Sequence, residues 1–271
     1  MSNHYESRRL LSPAVTNVIG CLPLIDFAEL PGGGRRIIDR HGSSYVIPIG
    51  NEQFVAVDGG MDRQAKRLEW FINKQGLALK NCAALFITHA HIDHEGLLSK
   101  LADNKSTKVF INESENEVLQ GRAQVEGLIS KLIEKAPGLL SAAIPGIETE
   151  ILSDGEIVKF SHLEVRAMTL PGHTTGNTGY MFSSESDGSD VLYSGDALDF
   201  TIKNDVRIAP SILSDDSALG WQTVINLPER LRSIGKSQAE IVPSHSGNSS
   251  ADNLLGTVAK RLILESEIRA L

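Results

Sequence analysis

Residues 88–96 read Thr-His-Ala-His-Ile-Asp-His-Glu-Gly and directly follow the apolar run 83–87. A short apolar run of this kind is typical of a buried β-strand, so the quoted stretch begins where a strand ends. It holds His89, His91, Asp93 and His94 within six positions. Imidazole and carboxylate are common ligands of Zn, Fe and Mn, and a turn after a strand lets neighbouring side chains reach more than one ion. The stretch therefore predicts a metal site rather than a histidine-rich surface loop.

Four other apolar runs each bring one acidic or imidazole side chain to a strand end. Asp58 follows 54–57, His173 follows 165–170, Asp196 follows 191–193 and His245 follows 240–242. Small residues flank these positions, as a crowded centre requires where backbone approaches closely. Five strand ends of one type predict a single shared site, in which Asp58 would orient a metal ligand by accepting its hydrogen bond.

The rest of the chain predicts strands and helices mixed throughout. Apolar runs bounded by Gly, Asp, Asn or Pro predict nine strands, at 45–48, 54–57, 83–88, 109–112, 157–160, 163–170, 178–182, 191–193 and 240–243. Amphipathic stretches predict helices at 62–75, 114–136, 217–234 and 250–271. The second helix opens with Ser114 and Glu117, spaced as in a capping box. No repeat and no long linker divides the chain, which favours one domain over 1–271.

Charge and composition limit the partners. The chain has 271 residues, 41% of them hydrophobic, and a formal net charge of -8. A globular protein with a sizeable core is expected. An acidic chain lacks a basic field for nucleic acid or an anionic membrane surface, so we expect a small-molecule substrate and neither of those partners.

The two cysteines and the N-terminal residues indicate the cellular compartment. Cys21 and Cys82 are too few for a disulfide framework and lie in no CxxC pair. The apolar stretch after Arg8 and Arg9 is broken by prolines, and no run approaches membrane-spanning length. We therefore expect a cytoplasmic protein with free, buried thiols.

Taken together, these motifs resemble the metallo-β-lactamase superfamily. The resemblance covers about residues 40–250 and rests on Asp58, the HxHxDH stretch, His173 in PGHTTG, Asp196 in SGD and His245. It implies an α+β fold of the αββα sandwich type. Two mixed sheets would face each other with helices outside, and a dinuclear site would lie along one sheet edge.

The same resemblance implies a ligand set. One metal ion would take His89, His91 and His173, the other would take Asp93, His94 and His245, and Asp196 would bridge both. This set suits two divalent ions, with Zn first and Fe or Mn as alternatives. A hydroxide bridging the ions would attack a carbonyl carbon, while Asp93 hydrogen-bonds to it and passes a proton to the leaving group.

The branch of the family is narrowed by Asp196, since the common dizinc β-lactamases carry a cysteine there or lack a bridge. The set with a bridging carboxylate is similar to glyoxalase II, acyl-homoserine lactonases and thioesterases. It implies hydrolysis of an ester, thioester or lactone of a small, partly apolar molecule. A phosphodiesterase, a mono-iron persulfide dioxygenase and a degenerate ligand-binding member remain alternatives.

Substrate choice is expected to depend on residues near the metals. The segment 115–146 is interpreted as a helical insertion near the active site, and it could serve as a lid, a homodimer interface or plain core. The pocket residues we propose on their apolar character are Leu139, Leu140, Phe200, Ile208 and Ile212. They favour an acyl chain or aromatic group over a phosphorylated substrate.

Overall fold

A seven-stranded sheet forms one half of the framework in the computed structural model. The structure describes residues 26–30, 33–39, 42–101, 106–124, 144, 146–201, 205–245 and 249–269. Within these ranges the strands of the first sheet are β1 (Asp26–Glu29), β2 (Arg35–Asp39), β3 (Gly42–Gly50), β4 (Gln53–Val57), β5 (Cys82–Phe86), β6 (Lys108–Ile111) and β7 (Glu150–Ile151), in that order across the sheet. Strands β1 to β4 pair antiparallel, and β4 to β7 pair parallel.

A second sheet forms the other half. Its strands in the described ranges are β8 (Ile157–Phe160), β9 (Leu163–Thr169), β10 (Thr178–Ser184), β11 (Asp190–Tyr193), β14 (Glu240–Val242) and β15 (Ser249–Ser250). They lie in the order β15-β14-β11-β10-β9-β8. A separate pair of short strands, β12 (Asp199–Phe200) and β13 (Val206–Arg207), follows β11. Because β9 and β11 are both antiparallel to β10, and β14 is parallel to β11, the strands β9, β11 and β14 all run in one direction.

The two sheets face each other across an apolar core. Alternate side chains of both sheets enter it, as the two-residue period of a strand requires, and Phe86 lies at its centre. The Phe86 ring stacks on Phe110 of its own sheet at 5.0 Å and meets Tyr180 and Phe182 of the other sheet at 5.0 and 5.7 Å. The predicted sandwich of two mixed sheets is confirmed.

Helices cover both outer faces. They are α1 (Lys66–Lys74), α2 (Leu98–Leu101) and α3 (Glu113–Leu119) on the first sheet, and α4 (Ser217–Ser233) and α5 (Ala251–Arg269) on the second. Buried Phe71 and Leu98 pack with Leu85 of the first sheet, and Leu227 packs with Ile241 of the second. The architecture is therefore αββα, as expected. None of the helices in the described ranges is both long enough and apolar enough to cross a membrane.

All nine predicted strands are present, and α4 and α5 match the last two predicted helices within about two residues. The helix expected at 62–75 starts later, at Lys66, because the Asp62 carboxylate accepts hydrogen bonds from the Gln64 and Lys66 backbone N–H groups in a turn. Cys82 is a buried free thiol, as expected, and burial raises its pKa to about 12. Cys21 lies outside the described residues.

The helix predicted at 114–136 starts one residue earlier, at Glu113, and does not continue past Leu119. Asn112 is its N-cap and accepts a hydrogen bond from the Ser114 backbone N–H at 2.9 Å, so Ser114 lies inside the helix and forms no capping box. The helix ends at Leu119, and Gly121 follows in the left-handed region with φ of 71°. Residues 125–143, including Leu139 and Leu140, lie outside the described part of the chain.

Candidate metal centre

The predicted ligands converge because their strands end at one edge of the sandwich. In the first sheet, the parallel neighbours β4 and β5 lead into Asp58 and the 88–96 loop. In the second, β9, β11 and β14 run in one direction and lead into His173, Asp196 and His245. The structure brings all seven predicted ligands into three overlapping groups, whose ligand atoms lie within 4.8 Å of one another in each group.

Three histidines form the first group. His91 Nδ1 lies 3.1 Å from His89 Nε2 and 3.0 Å from His173 Nε2. The nitrogen ligands of one tetrahedral Zn²⁺ lie about 3.3 Å apart, given Zn–N bonds of about 2.0–2.1 Å. The three nitrogens are thus placed as ligands of one ion, and we call this group the three-histidine group.

Asp93, His94 and His245 form another group. His94 Nε2 lies 3.7 Å from Asp93 Oδ2, and His245 Nε2 lies 3.6 Å from the same oxygen. We call these residues the Asp93 group.

Asp196 lies between the two groups. Its Oδ2 is 3.6 Å from His173 Nε2 and 2.9 Å from His245 Nε2, and its Oδ1 is 3.5 Å from His94 Nε2. One carboxylate therefore contacts the three-histidine group and the Asp93 group, which is the position expected of a bridge.

Two orphaned atoms test whether a cation fits. His94 Nε2 and Asp196 Oδ1 are buried, and neither has a hydrogen-bond partner among the described residues. Leaving a buried polar atom unsatisfied costs about 1–3 kcal/mol. A cation bound to both would remove that cost, and imidazole with carboxylate is the donor set that divalent transition metals accept. The residues present fit divalent metal ions.

Burial keeps the three-histidine group neutral. Burial, together with the neighbouring imidazoles, lowers the pKa of His91 to about 3 and holds that of His89 well below its usual value. Burial also lowers the pKa of His173. Neutral imidazoles keep a lone pair for a metal near neutral pH, so this group is ready to bind.

Carboxylates dominate the field around the Asp93 group. Burial opposes the charge on His94, but Asp58, Asp93 and Asp196 overcome it and raise the pKa of His94 to about 10. Asp196 likewise raises the pKa of His245 to about 9. Such a concentration of negative charge attracts cations, whether protons or metal ions.

Asp58 orients one histidine from each group. Its Oδ2 lies 2.8 Å from His94 Nδ1, which must carry the proton because a carboxylate only accepts. Asp58 also accepts hydrogen bonds from the Thr88 N–H and hydroxyl, both at 2.9 Å, and the Thr88 hydroxyl oxygen lies 3.1 Å from His89 Nδ1. Both histidines are thereby fixed with Nε2 facing the centre, the role of a carboxylate behind metal ligands.

Replacing Asp58 by alanine is expected to weaken metal affinity about 10- to 100-fold, because His94 and, through Thr88, His89 lose their orientation. Titration with Co²⁺ or Zn²⁺ measures the change. The matched control is Asp62→Ala, four residues away, whose carboxylate accepts hydrogen bonds from a neighbouring turn. An Asp58→Ala protein with the affinity of the control would contradict the orienting role.

Glu115 is a residue of the centre that the sequence reasoning missed. Its side chain is 3% exposed and accepts hydrogen bonds from the Ala90 N–H, the Gly176 N–H and the Thr174 hydroxyl. Burial raises the pKa of this carboxyl despite these three bonds. Its signal in the sequence is an acidic residue near a helix start, which is common and does not distinguish it from the rest of the segment 115–146.

The His245 loop is held from the opposite sheet. Arg36 Nη2 donates to the Pro243 carbonyl oxygen at 2.9 Å, and the Tyr45 hydroxyl donates to the same oxygen at 2.6 Å. The Ser43 hydroxyl donates to the Ser244 carbonyl oxygen. Residues from β2 and β3 thus place a ligand loop that follows β14, a contact that no local pattern indicated.

The predicted pocket residues in the described part of the chain differ in their exposure to solvent. Phe200 is 2% exposed and packs in the apolar cluster under α4 and α5, so its ring belongs to the core rather than to an open pocket wall. Ile208 is partly buried against the same cluster. Ile212 is 44% exposed. It lies three residues before Asp215, whose backbone N–H donates to the His173 carbonyl oxygen. Of the three, Ile212 is the most exposed.

Ile144 shows how one residue of the segment 115–146 packs. Its N–H donates to the Leu119 carbonyl oxygen at 2.8 Å, and its side chain packs against the helical cluster of the first sheet. At this position the segment contributes to the core.

Several known proteins have sequences similar to part of this chain. YobT, an uncharacterized protein of Bacillus subtilis (strain 168), is 25% identical over 178 residues, which cover 62% of this chain and 66% of YobT. Hydroxyacylglutathione hydrolase GloC of Haemophilus influenzae is 29% identical over 139 residues, 50% of this chain and 57% of GloC. The chain spans about half to two thirds of the length of the curated relatives it matches.

Among solved structures, a B3 metallo-beta-lactamase with an active-site glutamic acid superimposes with a TM-score of 0.62. The match covers 93% of this chain and 96% of that chain, at 18% sequence identity. At this identity the likeness shows a shared fold and nothing about substrate.

The family model of the metallo-beta-lactamase superfamily matches residues 37–233, more than half of the chain. The matched segment contains six of the seven clustered ligands, and His245 lies just beyond it. With the sandwich fold and the clustered histidines and aspartates, this match shows that the chain belongs to the metallo-beta-lactamase superfamily.

Proposed function

We propose that this protein is a dinuclear metal-dependent hydrolase that cleaves an ester, thioester or lactone of a small, partly apolar molecule. The observation that carries the proposal is the position of Asp196, whose two oxygens lie 2.9–3.6 Å from ligand nitrogens of both the three-histidine group and the Asp93 group. A carboxylate shared in this way would hold two ions as a pair. Zn²⁺ suits the ligand types best, with Fe or Mn as alternatives.

The metal ions, when bound, would supply Lewis-acid activation of a water molecule and of the substrate carbonyl. The protein's part is to keep its imidazoles neutral and aimed, which burial and Asp58 do. Asp93 is suited to proton transfer. Its side chain is 23% exposed and so reaches the mouth of the centre, whereas that of Asp196 is 10% exposed and lies deeper. The Asp93 carboxylate would take the proton of the attacking water and pass it to the leaving group.

A thioester is the first substrate to test. The relative GloC, 29% identical to this chain, is named a hydroxyacylglutathione hydrolase, and glutathione conjugates of hydroxy acids are thioesters. The net charge of -8 disfavours polyanionic substrates, nucleic acids among them. A partly apolar acyl group fits the exposed Ile212 beside the His173 loop.

Acyl thioesters, esters or lactones are expected to be hydrolysed with higher kcat/KM than phosphodiesters of similar size. Lengthening an apolar acyl chain should raise kcat/KM about fourfold per methylene until the pocket is full, since each buried methylene contributes about 0.8 kcal/mol. Steady-state kinetics on a matched substrate panel measures both trends, with the Asp196→Ala protein as the control for contaminating hydrolases.

Two outcomes would favour the alternatives. A preference for bis-nitrophenyl phosphate over every carbonyl substrate would make the protein a phosphodiesterase. Oxygen consumption with a persulfide substrate, in protein that holds one iron per chain, would make it a dioxygenase.

A further inference from the structure

We infer that Glu115 is a positioning residue for one metal site, because its carboxylate ties together the two loops that carry the three-histidine group. The inference rests on the proposed metal centre, which it deepens by separating what holds one site from what holds the other.

The geometry of Glu115 is that of a clamp between loops. Its Oε2 accepts a hydrogen bond from the Ala90 N–H at 2.8 Å. Its Oε1 accepts from the Thr174 hydroxyl at 2.6 Å and from the Gly176 N–H at 2.9 Å. Hydrogen bonds to an ionised acceptor are about twice as strong as neutral ones, and here they lie in a buried environment.

The three donors lie next to ligands of a single group. Ala90 stands between His89 and His91, and Thr174 follows His173 directly. His89 and His91 come from the loop after β5 in the first sheet, whereas His173 comes from the loop after β9 in the second. Glu115 therefore joins two loops that follow strands of different sheets, beside the hydrogen bond from the Thr178 N–H to the Thr88 carbonyl oxygen at 2.9 Å.

Glu115 is itself held firmly. It lies in α3, whose N-cap is Asn112 and whose last residue, Leu119, is fully buried. The PGHTTG loop sits directly against this helix, since a Cβ placed on Gly176 would come within 2.8 Å of Glu115 Cγ and of Asn112 Oδ1. The helix and the loop thus pack directly against each other, with Glu115 between them.

Glutamine cannot reproduce the clamp. Three donors face two carboxylate oxygens, and glutamine offers one oxygen together with an amide group that donates. Whichever way the amide turns, it opposes an N–H or hydroxyl donor. Glu115→Gln should therefore separate the loops while keeping the size of the side chain.

The expected effect is selective. Loss of a partner that orients metal ligands weakens affinity about 10- to 100-fold. We expect this weakening at the three-histidine site and a change below about threefold at the Asp93 site, whose orientation comes from Asp58.

The test isolates each site with a background substitution in the full-length chain. His245→Ala leaves the three-histidine site as the stronger one, and His173→Ala leaves the Asp93 site. Co²⁺ is titrated alone, without substrate, and its visible absorption spectrum reports binding and coordination. Glu115→Gln should raise the Kd for Co²⁺ about 10- to 100-fold in the first background and leave it nearly unchanged in the second.

Three variants distinguish a positioning role from loss of the fold. Glu117→Gln lies on the same helix, where its side chain is 42% exposed and pairs with Arg122, and it should leave both Kd values unchanged. Thr174→Val removes one of the three bonds and should give an intermediate, site-selective loss, while Thr174→Ser restores it. Circular dichroism checks that each protein is folded, and Thr174→Val carries the test if Glu115→Gln does not fold.

The outcomes are distinguishable from failure of the proposed function. If the unsubstituted protein binds no second ion, the dinuclear proposal is wrong. If it binds two ions but Glu115→Gln or Thr174→Val weakens both sites equally, or neither, the positioning role of Glu115 is wrong.

Discussion

Replacing Asp196 by alanine is expected to lower the kcat of hydrolysis by about 10²- to 10³-fold or more. Metal ions that stabilise developing charge contribute several kcal/mol, and each 1.36 kcal/mol is a factor of ten in rate. Asp196 is the side chain within 3.6 Å of His94, His173 and His245, so its loss separates the two groups and leaves one metal site weaker. Steady-state kinetics and elemental analysis of the purified protein measure both effects.

Asp196→Asn distinguishes charge from shape. It keeps the size of the side chain but loses the charge and one potential ligand oxygen, so we expect nearly the same loss as with alanine. Asp205→Ala, which removes an exposed carboxylate directly before β13, serves as the matched control and should retain full activity. Near-normal kcat with normal metal content in the Asp196 variants would show that the bridge is not needed.

Removal of metal with a chelator is expected to abolish hydrolysis and to lower the Tm by roughly 10 °C. Ligand present at about 1,000 times its Kd stabilises a folded protein by about 4 kcal/mol, and 1 kcal/mol shifts the Tm of a chain of this size by about 2–4 °C. The orphaned atoms of His94 and Asp196 add to the loss, because they would be buried without a partner. Scanning calorimetry before and after chelation measures the shift.

Elemental analysis of protein purified without chelator should give about two ions per chain, and adding Zn²⁺ back should restore Tm and activity together. His162→Ala is the control, since His162 is outside the clustered groups and its loss should leave both properties unchanged. A Tm that does not respond to the chelator, or saturation at one ion, would argue against the two-ion centre.

The strands and the ligand positions could be predicted from the sequence because both are local signals. A short apolar run such as 54–57 and the polar residue that follows it together occupy fewer than ten positions. Strand β2 was missed because it opens with Arg35 and Arg36, although Arg36 is 2% exposed in the fold. Strands β7, β12, β13 and β15 have two residues each and give no periodic signal.

The supporting side chains could not be predicted because their partners are distant along the chain. Glu115 is 25 positions from Ala90 and 59 from Thr174, and Arg36 is 207 positions from Pro243. Such pairings depend on how the two sheets pack, which a linear pattern does not encode. The burial of Phe200 could not be predicted for the same reason, since an apolar residue after a ligand is equally compatible with a pocket wall and with the core.

The hydrogen bonds from the first sheet to the His245 loop have a consequence for the order in which the chain folds. The hydrogen bonds from Ser43 and Tyr45 to that loop span 201 and 198 positions along the chain. Because contacts between nearby residues form first during folding, we expect these hydrogen bonds to form late. During synthesis His89 to His94 emerge well before His245, and the complete ligand set exists only after β14 has docked. We therefore expect metal capture to follow the docking of β14, so that raising the metal concentration slows unfolding and leaves the folding rate unchanged.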